Sequence, residues 1–177
     1  MGGPSRVTFI AVVGRKKIGK TSLIERLLPL LKKEGYKVGT LKYNVREFEI
    51  DYPGKDTYKY YQAGADSVLI SSPKKLAFIS GLNSTPPLKR LITKYFSNTD
   101  LVLIEGYKGH DCPEIHILEP SEAASCSVRP RAARKAGANV RDKLARYQLV
   151  IKKEAAAEIS PKEVKKALNF IKKLLKS

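Results

Sequence analysis

The stretch Gly14-Arg15-Lys16-Lys17-Ile18-Gly19-Lys20-Thr21 has the spacing G-x-x-x-x-G-K-T of a phosphate-binding loop. Gly14 and Gly19 let the backbone turn sharply and approach phosphate oxygens without a Cβ in the way. The successive N–H groups form a concave anion site, which continues into the free N–H groups at the start of the next helix. The pattern therefore predicts that this loop holds the phosphates of a nucleotide.

The side chains at the end of the motif suit a triphosphate with its metal ion. We expect the Lys20 ammonium to reach the β and γ phosphates and the Thr21 hydroxyl to take one position on Mg²⁺. Ser22 adds a hydroxyl near the α phosphate. A nucleoside triphosphate with Mg²⁺ is therefore the predicted ligand.

The segments on either side have the character that such a loop requires. Residues 7–13 form a nearly continuous β-branched and apolar run, typical of a strand buried on both faces in a parallel sheet. Leu23, Leu27 and Leu31 recur at helical spacing until Gly35. The motif thus lies between a predicted strand and a predicted helix.

Strands and helices alternate along the rest of the chain. The further predicted strands are 36–43, 67–72, 76–80, 101–104 and 147–151, and the further predicted helices are 56–63, a segment through Leu88 and Tyr95, and 160–176. The last helix is amphipathic and begins with the capping box Ser160-Pro161-Lys162-Glu163. This order predicts an α/β fold of the P-loop NTPase type, with a mostly parallel sheet flanked by helices and a small β insertion around residues 67–80.

A carboxylate follows the buried strand 101–104. In phosphate-loop proteins a carboxylate at this place holds the Mg²⁺ shell or orients a water molecule, and Glu105 is the candidate here. Gly106 lets the chain turn directly after the strand, and Lys108 can reach a phosphate. The alternative is that Asp100 and Glu105 only bracket a core strand. We favour the functional interpretation because open α/β sheets bind ligands at the carboxyl ends of their strands.

The polar loop from Asn44 to Asp56 is long for a compact domain, which is typical of functional loops. Its Pro53-Gly54 turn is surrounded by Asp51, Lys55 and Asp56, which can close over a nucleotide or a second substrate. Asp56 can equally be the cap of the following helix, and spacing alone leaves both roles open.

Length and composition predict one soluble nucleotide-binding domain over residues 1–177. The chain has no run of eighteen apolar residues, and its first residues lead directly into a strand, so we expect a cytoplasmic protein without membrane contacts. Its 2 cysteines exclude a disulfide framework and a four-cysteine zinc site within one chain. Residues 110–116 hold both histidines and Cys112, and we interpret them as a solvated loop that leads into a strand rather than as a metal site.

The formal charge of +17 exceeds what solubility requires, so part of it is expected to serve anionic ligands. Residues 119–177 contain 15 basic and 6 acidic side chains, and residues 119–146 within them form a predicted basic arm or insert. No set of aromatic side chains interleaves with its arginines, so we expect no nucleic-acid partner.

Four motifs in a fixed order resemble the molybdopterin-guanine dinucleotide biosynthesis protein B (MobB) family over about residues 6–118. They are the strand and loop ending at Thr21, the phrase 35–42, the turn Asp51-x-Pro53-Gly54-Lys55-Asp56 followed by 63–65, and Glu105-Gly106-Tyr107-Lys108 followed by Pro113. Two positions depart from the family pattern. Residues 43–46 stand where the family has a histidine-rich cluster, and Glu114 stands where it has a lysine.

The resemblance implies a homodimeric GTP-binding protein with weak hydrolysis. It assists a partner guanylyltransferase in attaching GMP to molybdopterin. By the same resemblance Gly14, Lys20 and Thr21 hold GTP and Mg²⁺, while Asp51, Gly54, Lys55, Asp56 and Glu105 line the working face. The guanine preference comes from the family alone, because the chain has no Asn-Lys-x-Asp motif.

Two other classes of function fit parts of the sequence. In a small-molecule kinase, the loop 44–56 would bind the phosphoryl acceptor and one of its carboxylates would act as a base. In a nucleic-acid-binding adaptor, the basic residues 129–146 would be the electrostatic footprint.

Overall fold

A computed structural model of the chain describes residues 7–107, 109, 112–119, 148–153 and 158–176. The strands are β1 (Thr8–Val13), β2 (Val38–Lys42), β3 (Ser67–Ser71), β4 (Leu76–Ser80), β5 (Leu101–Glu105), β6 (Glu114–Leu118) and β7 (Gln148–Lys152). The helices are α1 (Lys20–Lys33), α2 (Asp56–Gln62), α3 (Leu88–Tyr95) and α4 (Pro161–Leu175). Within the described ranges, no helix is long and apolar enough to cross a bilayer.

Five strands form the main sheet in the order β2-β5-β1-β6-β7, and every neighbouring pair is parallel. The strand β1 is central, with Val12 opposite Glu105 of β5 and Val13 opposite His116 of β6. Parallel pairing requires crossover connections and places the carboxyl ends of all five strands at one edge.

Both faces of the main sheet are covered by helices. On one face, Ile10 and Val12 of β1 pack in a core with residues of α1 and α4. On the other, Val102 and Ile104 of β5 pack with α3. The four residues from Leu101 to Ile104 all have 0% exposure, because alternate side chains of the strand enter the two cores. This two-sided burial explains why the strand has a continuous apolar sequence.

The two long helices form where the sequence places their start and stop signals. Gly19 precedes α1, which ends before Gly35. The helix α4 begins with Pro161, and the Ser160 Oγ accepts a hydrogen bond from the Glu163 N–H. The buried side chains Val164, Ala167 and Ile171 lie on one face of α4.

The chain divides into two compact units, residues 1–44 with 88–177 and residues 45–87. The first contains the parallel sheet. The second contains α2 and the antiparallel pair β3–β4, in which Leu69 is opposite Phe78. Val68 is its one buried hydrophobic residue.

The predicted fold class is confirmed: a mostly parallel sheet is flanked by helices, and the two-stranded insertion lies at residues 67–80. One local interpretation is wrong. The sequence predicts a solvated loop over residues 110–116 that leads into a strand, but the strand β6 itself begins at Glu114, and Glu114 is only 1% exposed. The alternation of Ile115 and Ile117 buries this strand against α1 and α4, and the polar Glu114 and His116 then face the opposite side.

Candidate nucleotide-binding site

The phosphate-binding loop joins the carboxyl end of β1 to α1, in the centre of the sheet. Its backbone has positive φ angles at Gly14 (156°), Lys17 (64°) and Gly19 (102°). Ile18 is 3% exposed and packs in the core between the sheet and α1, whereas Arg15, Lys16 and Lys17 are exposed. A buried side chain thus fixes the middle of the loop, and the predicted contribution of Ile18 to a ligand comes from its backbone alone.

The Lys20 side chain folds back so that its ammonium contacts the phosphate-binding loop. Its Nζ donates hydrogen bonds to the carbonyl oxygens of Gly14 at 3.2 Å and Arg15 at 2.7 Å. At this end of α1 no side chain caps the helix, and the first turn contains no acidic residue. The uncapped N–H groups and the ammonium therefore present positive potential at the same place, which fits the phosphates of a nucleotide.

Thr21 and Glu105 are brought together from positions 84 residues apart. The Thr21 Oγ1 donates to the Glu105 Oε2 at 3.1 Å. A hydroxyl and a carboxylate are hard oxygen donors, and a divalent ion such as Mg²⁺ prefers such ligands, directly or through water. The donor set therefore fits a magnesium ion bound beside the phosphate loop. Ser22, the next residue of α1, is exposed.

The turn after β5 holds Glu105 in place. The Glu105 carbonyl accepts a hydrogen bond of 2.8 Å from the Tyr43 N–H, which continues the pairing of β2 and β5. Gly106 follows with φ of 87°, and a Cβ at this position would lie 2.5 Å from the Tyr43 carbonyl oxygen. Only glycine fits this turn, so the predicted role of Gly106 in freeing the chain after the strand has a steric basis. Lys108, the other candidate in this turn, lies outside the described residues.

Two contacts of the loop were not predicted from the sequence. Arg15 forms an ion pair with Glu119, which directly follows β6. Lys153, which directly follows β7, has its Cδ 3.4 Å from the position that a Cβ would occupy on Gly19. Both residues follow the carboxyl ends of parallel strands. The rule that ligands bind at these ends, which identified Glu105 as a candidate, could therefore have identified Arg15's partner Glu119 and Lys153 as well.

The structure describes only part of the region around the two histidines. His110 and Asp111 lie outside the described residues, as do residues 120–147, which hold nearly all of the predicted basic arm. Cys112 is buried. The Glu114 Oε2 accepts from Gln148 Nε2 at 3.2 Å and bonds His116 Nε2 at 2.7 Å. Glu114, which stands where the family has a lysine, therefore belongs to a buried hydrogen-bonded group and not to an exposed loop.

The candidate residues Asp51, Gly54, Lys55 and Asp56 all belong to the second unit, residues 45–87. A hydrogen bond of 3.2 Å from the Lys55 N–H to the Tyr52 carbonyl closes the predicted Pro53-Gly54 turn. The Asp51 Oδ1 accepts from the Tyr52 N–H at 2.9 Å, while its Oδ2 is shielded and has no hydrogen-bond partner among the described residues.

Asp56 is exposed and is the first residue of α2, because Lys55 occupies the N-cap position. Its Oδ1 accepts from Lys59 Nζ at 3.4 Å, and no side chain caps the helix. The alternative interpretation of Asp56 as the helix cap is therefore wrong.

Comparison with known proteins agrees with this arrangement of strand, loop and carboxylate. The sequence pattern of the family described as MobB, molybdopterin guanine dinucleotide synthesis protein B, matches residues 9–140. The chain belongs to the MobB family. The match contains β1, the phosphate loop and the strand that ends at Glu105, so the family shares the P-loop nucleotide-binding fold seen here.

Relatives and solved structures of the MobB family extend over much of the chain. A molybdopterin-guanine dinucleotide biosynthesis adapter protein of Escherichia coli (strain K12) is 29% identical over 121 residues, covering 65% of this chain and 67% of the relative. A probable adapter protein of the same description from Bacillus subtilis (strain 168) is 37% identical over 117 residues, covering 64% and 66%. The matches thus span about two thirds of these relatives. A crystal structure of molybdopterin-guanine biosynthesis protein B superimposes with a TM-score of 0.64 at 26% identity, over 96% of this chain and 99% of the other.

The close approach of Gly106 to Tyr43 yields a prediction. We expect Gly106→Ala to lower the free energy of unfolding by about 2–4 kcal/mol, because a new Cβ would meet a backbone carbonyl. The matched control is Gly35→Ala. Gly35 has φ of 89°, but a Cβ at this position would have no described atom of a distant residue within 4 Å, so only backbone strain of about 1 kcal/mol applies. Urea unfolding of both variants measures the difference, and equal losses would contradict the steric explanation.

Proposed function

We propose that this chain is a GTP-binding accessory protein of molybdenum cofactor biosynthesis. In this role it assists a partner guanylyltransferase in attaching GMP to molybdopterin, with weak GTP hydrolysis of its own. The observation that carries the proposal is the position of Lys20, Thr21 and Glu105 at the carboxyl ends of the neighbouring strands β1 and β5, in a chain of the MobB family. We place the protein in the cytoplasm.

The phosphates of GTP bind to the loop from Gly14 to Thr21 and to Ser22. Ligand binding exchanges the two carbonyl partners of the Lys20 Nζ for phosphate oxygens, and the donors from Arg15 to Gly19 lie around the same anion. The exposed Lys16 and Lys17 add positive potential outside the loop. Gly106 and Lys108 border the site after β5.

Thr21 and Glu105 would hold Mg²⁺, and the ion would offset the charge that develops during phosphoryl transfer. Asp51 is the second catalytic candidate. Its shielded Oδ2, without a partner among the described residues, is suited to accept a hydrogen bond from a substrate or a water molecule. Gly54, Lys55 and Asp56 supply the turn that presents it.

The guanine preference and the partner are supported by the relatives. Both curated relatives are described as adapter proteins of molybdopterin-guanine dinucleotide biosynthesis, and an adapter acts on another protein. GTP is a donor of the GMP group that such a dinucleotide contains. We therefore propose GTP as the ligand, and molybdopterin or its guanylyltransferase as the partner.

We further propose that the chain is a homodimer that covers an apolar face of the β3–β4 pair. Leu69, Leu76 and Phe78 lie on one face of this pair and are 59%, 63% and 45% exposed. Among the residues that the structure describes, eleven of the thirteen exposed large hydrophobic ones lie in residues 45–87. A two-stranded pair is marginal in water, and an apolar face of this kind is typical of an association surface. A second copy of the chain can cover it with its own identical face.

The first test of the proposed function is Lys20→Ala. We expect GTP affinity to fall by about 100-fold or more, because a charged hydrogen-bonding partner of the phosphates is removed. Stability should change little, because the hydrogen bonds of Lys20 to described residues go to carbonyls of its own loop. Calorimetric titration with GTP and ATP in the presence of Mg²⁺ measures the effect. The control is Lys33→Ala, because Lys33 is exposed and lies on the same helix. Parental GTP affinity in folded Lys20→Ala would refute the assignment of the loop.

The second test is Glu105→Gln, which keeps the shape of the side chain and removes its charge. We expect Mg²⁺-dependent GTP hydrolysis to fall by about 10–100-fold, with a smaller loss of GTP affinity, because the amide is a poorer partner for the metal shell. Single-turnover hydrolysis at several Mg²⁺ concentrations separates the two effects. The matched control is Glu25→Gln on the exposed surface of α1. An unchanged hydrolysis rate would remove Glu105 from the mechanism.

The third test addresses the dimer. We expect Leu69→Lys to convert the dimer to a monomer, because the new charge would be buried between two apolar faces. Leu30→Lys is the matched control, since Leu30 is also exposed (39%) but lies on α1 in the first unit. Sedimentation velocity compares both variants with the parent. A monomeric parent, or a dimer that survives Leu69→Lys, would contradict this interface.

A further inference from the structure

The phosphate loop has two different borders along the sheet. On one side of β1 lies β5, whose Glu105 contacts Thr21. On the other side lie β6 and β7, whose carboxyl ends lead to Glu119 and Lys153. Glu119 pairs with Arg15, and the backbone N–H of Lys153 donates to the Leu118 carbonyl at 2.9 Å. The second border is therefore tied both to the loop and to the end of β6.

Lys153 lies directly against the loop. From the position of a Cβ on Gly19, the Lys153 Cδ is 3.4 Å and its Cε 3.5 Å away, and the Cδ1 of Ile159 is also at 3.5 Å. Ile159 is 1% exposed and belongs to the core with α1 and α4, and Arg26 of α1 donates a hydrogen bond to its carbonyl. The methylene stem of Lys153 thus lies beside Gly19, which directly precedes α1, on the side where the buried Ile159 also lies.

The ammonium of Lys153 has no partner among the residues that the structure describes. No acceptor within the described ranges takes a hydrogen bond from its Nζ, and it forms no ion pair there. Lys152, the preceding residue, is the exposed end of β7. Lys153 thus differs from the neighbouring Lys152 in that its side chain lies against the phosphate loop.

The two borders give a bound nucleotide a direction. The Thr21–Glu105 pair would hold Mg²⁺, which would offset the charge of the terminal phosphates, so these phosphates would lie on the β5 side of the loop. The nucleoside of such a ligand would then lie on the other side of β1, towards β6 and β7. Lys153 lies on that side, next to the residue where the loop passes into α1.

We propose that Lys153 is a nucleoside-contacting residue, whose methylene stem packs against the ribose and base and so determines affinity for a nucleoside triphosphate over its phosphates alone. This proposal rests on the proposed nucleotide binding and adds the place of the nucleoside. Long amphipathic side chains bury their stems on apolar surfaces and keep the charge in water, which is the behaviour required here.

The experiment compares three variants of the full chain in calorimetric titrations with GTP and Mg²⁺. Lys153→Ala removes the stem and the charge, Lys153→Met keeps most of the stem without the charge, and Lys152→Ala removes a neighbouring charge away from the loop. We expect GTP affinity to fall about tenfold in Lys153→Ala. Lys153→Met and Lys152→Ala should stay close to the parent. Circular dichroism and thermal unfolding verify that each variant is folded.

Each other outcome overturns the proposal. Parental affinity in Lys153→Ala would show that the stem contacts no ligand. Equal losses in Lys153→Ala and Lys153→Met would assign the residue to a phosphate through its charge. An equal loss in Lys152→Ala would indicate a general effect of positive potential. The failure of nucleotide binding itself is distinguishable, because then the parent protein would bind neither GTP nor ATP, whatever residue stands at 153.

Discussion

The parallel pairing of β1 with β5 and β6 is the constraint on which the rest of the structure depends. It directs the carboxyl ends of segments far apart in the sequence to one edge of the sheet, where Thr21 meets Glu105 and Arg15 meets Glu119. None of these contacts is local in the chain. A shift of one residue in the pairing of β5 would turn the Glu105 side chain toward the opposite face and away from Thr21, because strand side chains alternate. The register is fixed by burial: successive residues from Leu101 to Ile104 fill two separate cores.

The same cores give the phosphate loop its rigidity. Ile18 connects the middle of the loop to the core beneath it, and α1, which begins directly after the loop, is buried through Leu23 and Leu27. Fully burying a side chain of this size contributes about 1.5–3 kcal/mol. Displacement of the loop would therefore cost a substantial part of the free energy of unfolding of a typical domain. The N–H groups are therefore oriented before a ligand arrives, which avoids the entropy loss of ordering them on binding.

The sequence was sufficient for features that are contiguous in the chain. The loop, the cap at Ser160 and the apolar strands follow from local spacing, and the structure has them at nearly the expected residues. It was insufficient where a residue's environment depends on distant segments. Glu114 has the charge of a loop residue, yet Ile115 and Ile117 bury its strand, and Gln148 from β7 supplies a partner. Lys153 likewise carries no motif, and its position against Gly19 follows only from the order of β6 and β7 in the sheet.

The residues 45–87 follow a different physical pattern from the parallel sheet, and this difference bears on the proposed association of two copies. Most of the buried apolar side chains that the structure describes belong to the first unit, whereas the β3–β4 pair buries Val68 and leaves Leu69 59% and Phe78 45% exposed. Solvent exposure of such a face is unfavourable by about 25 cal/mol for each Å² that another surface could cover. Selection for folding of the isolated chain alone would favour polar side chains on that face, because polar groups there would lower the risk of aggregation. The apolar residues are therefore better explained by the proposed association, which would assign the contacts with a nucleotide and the contacts with a second copy to separate parts of the chain.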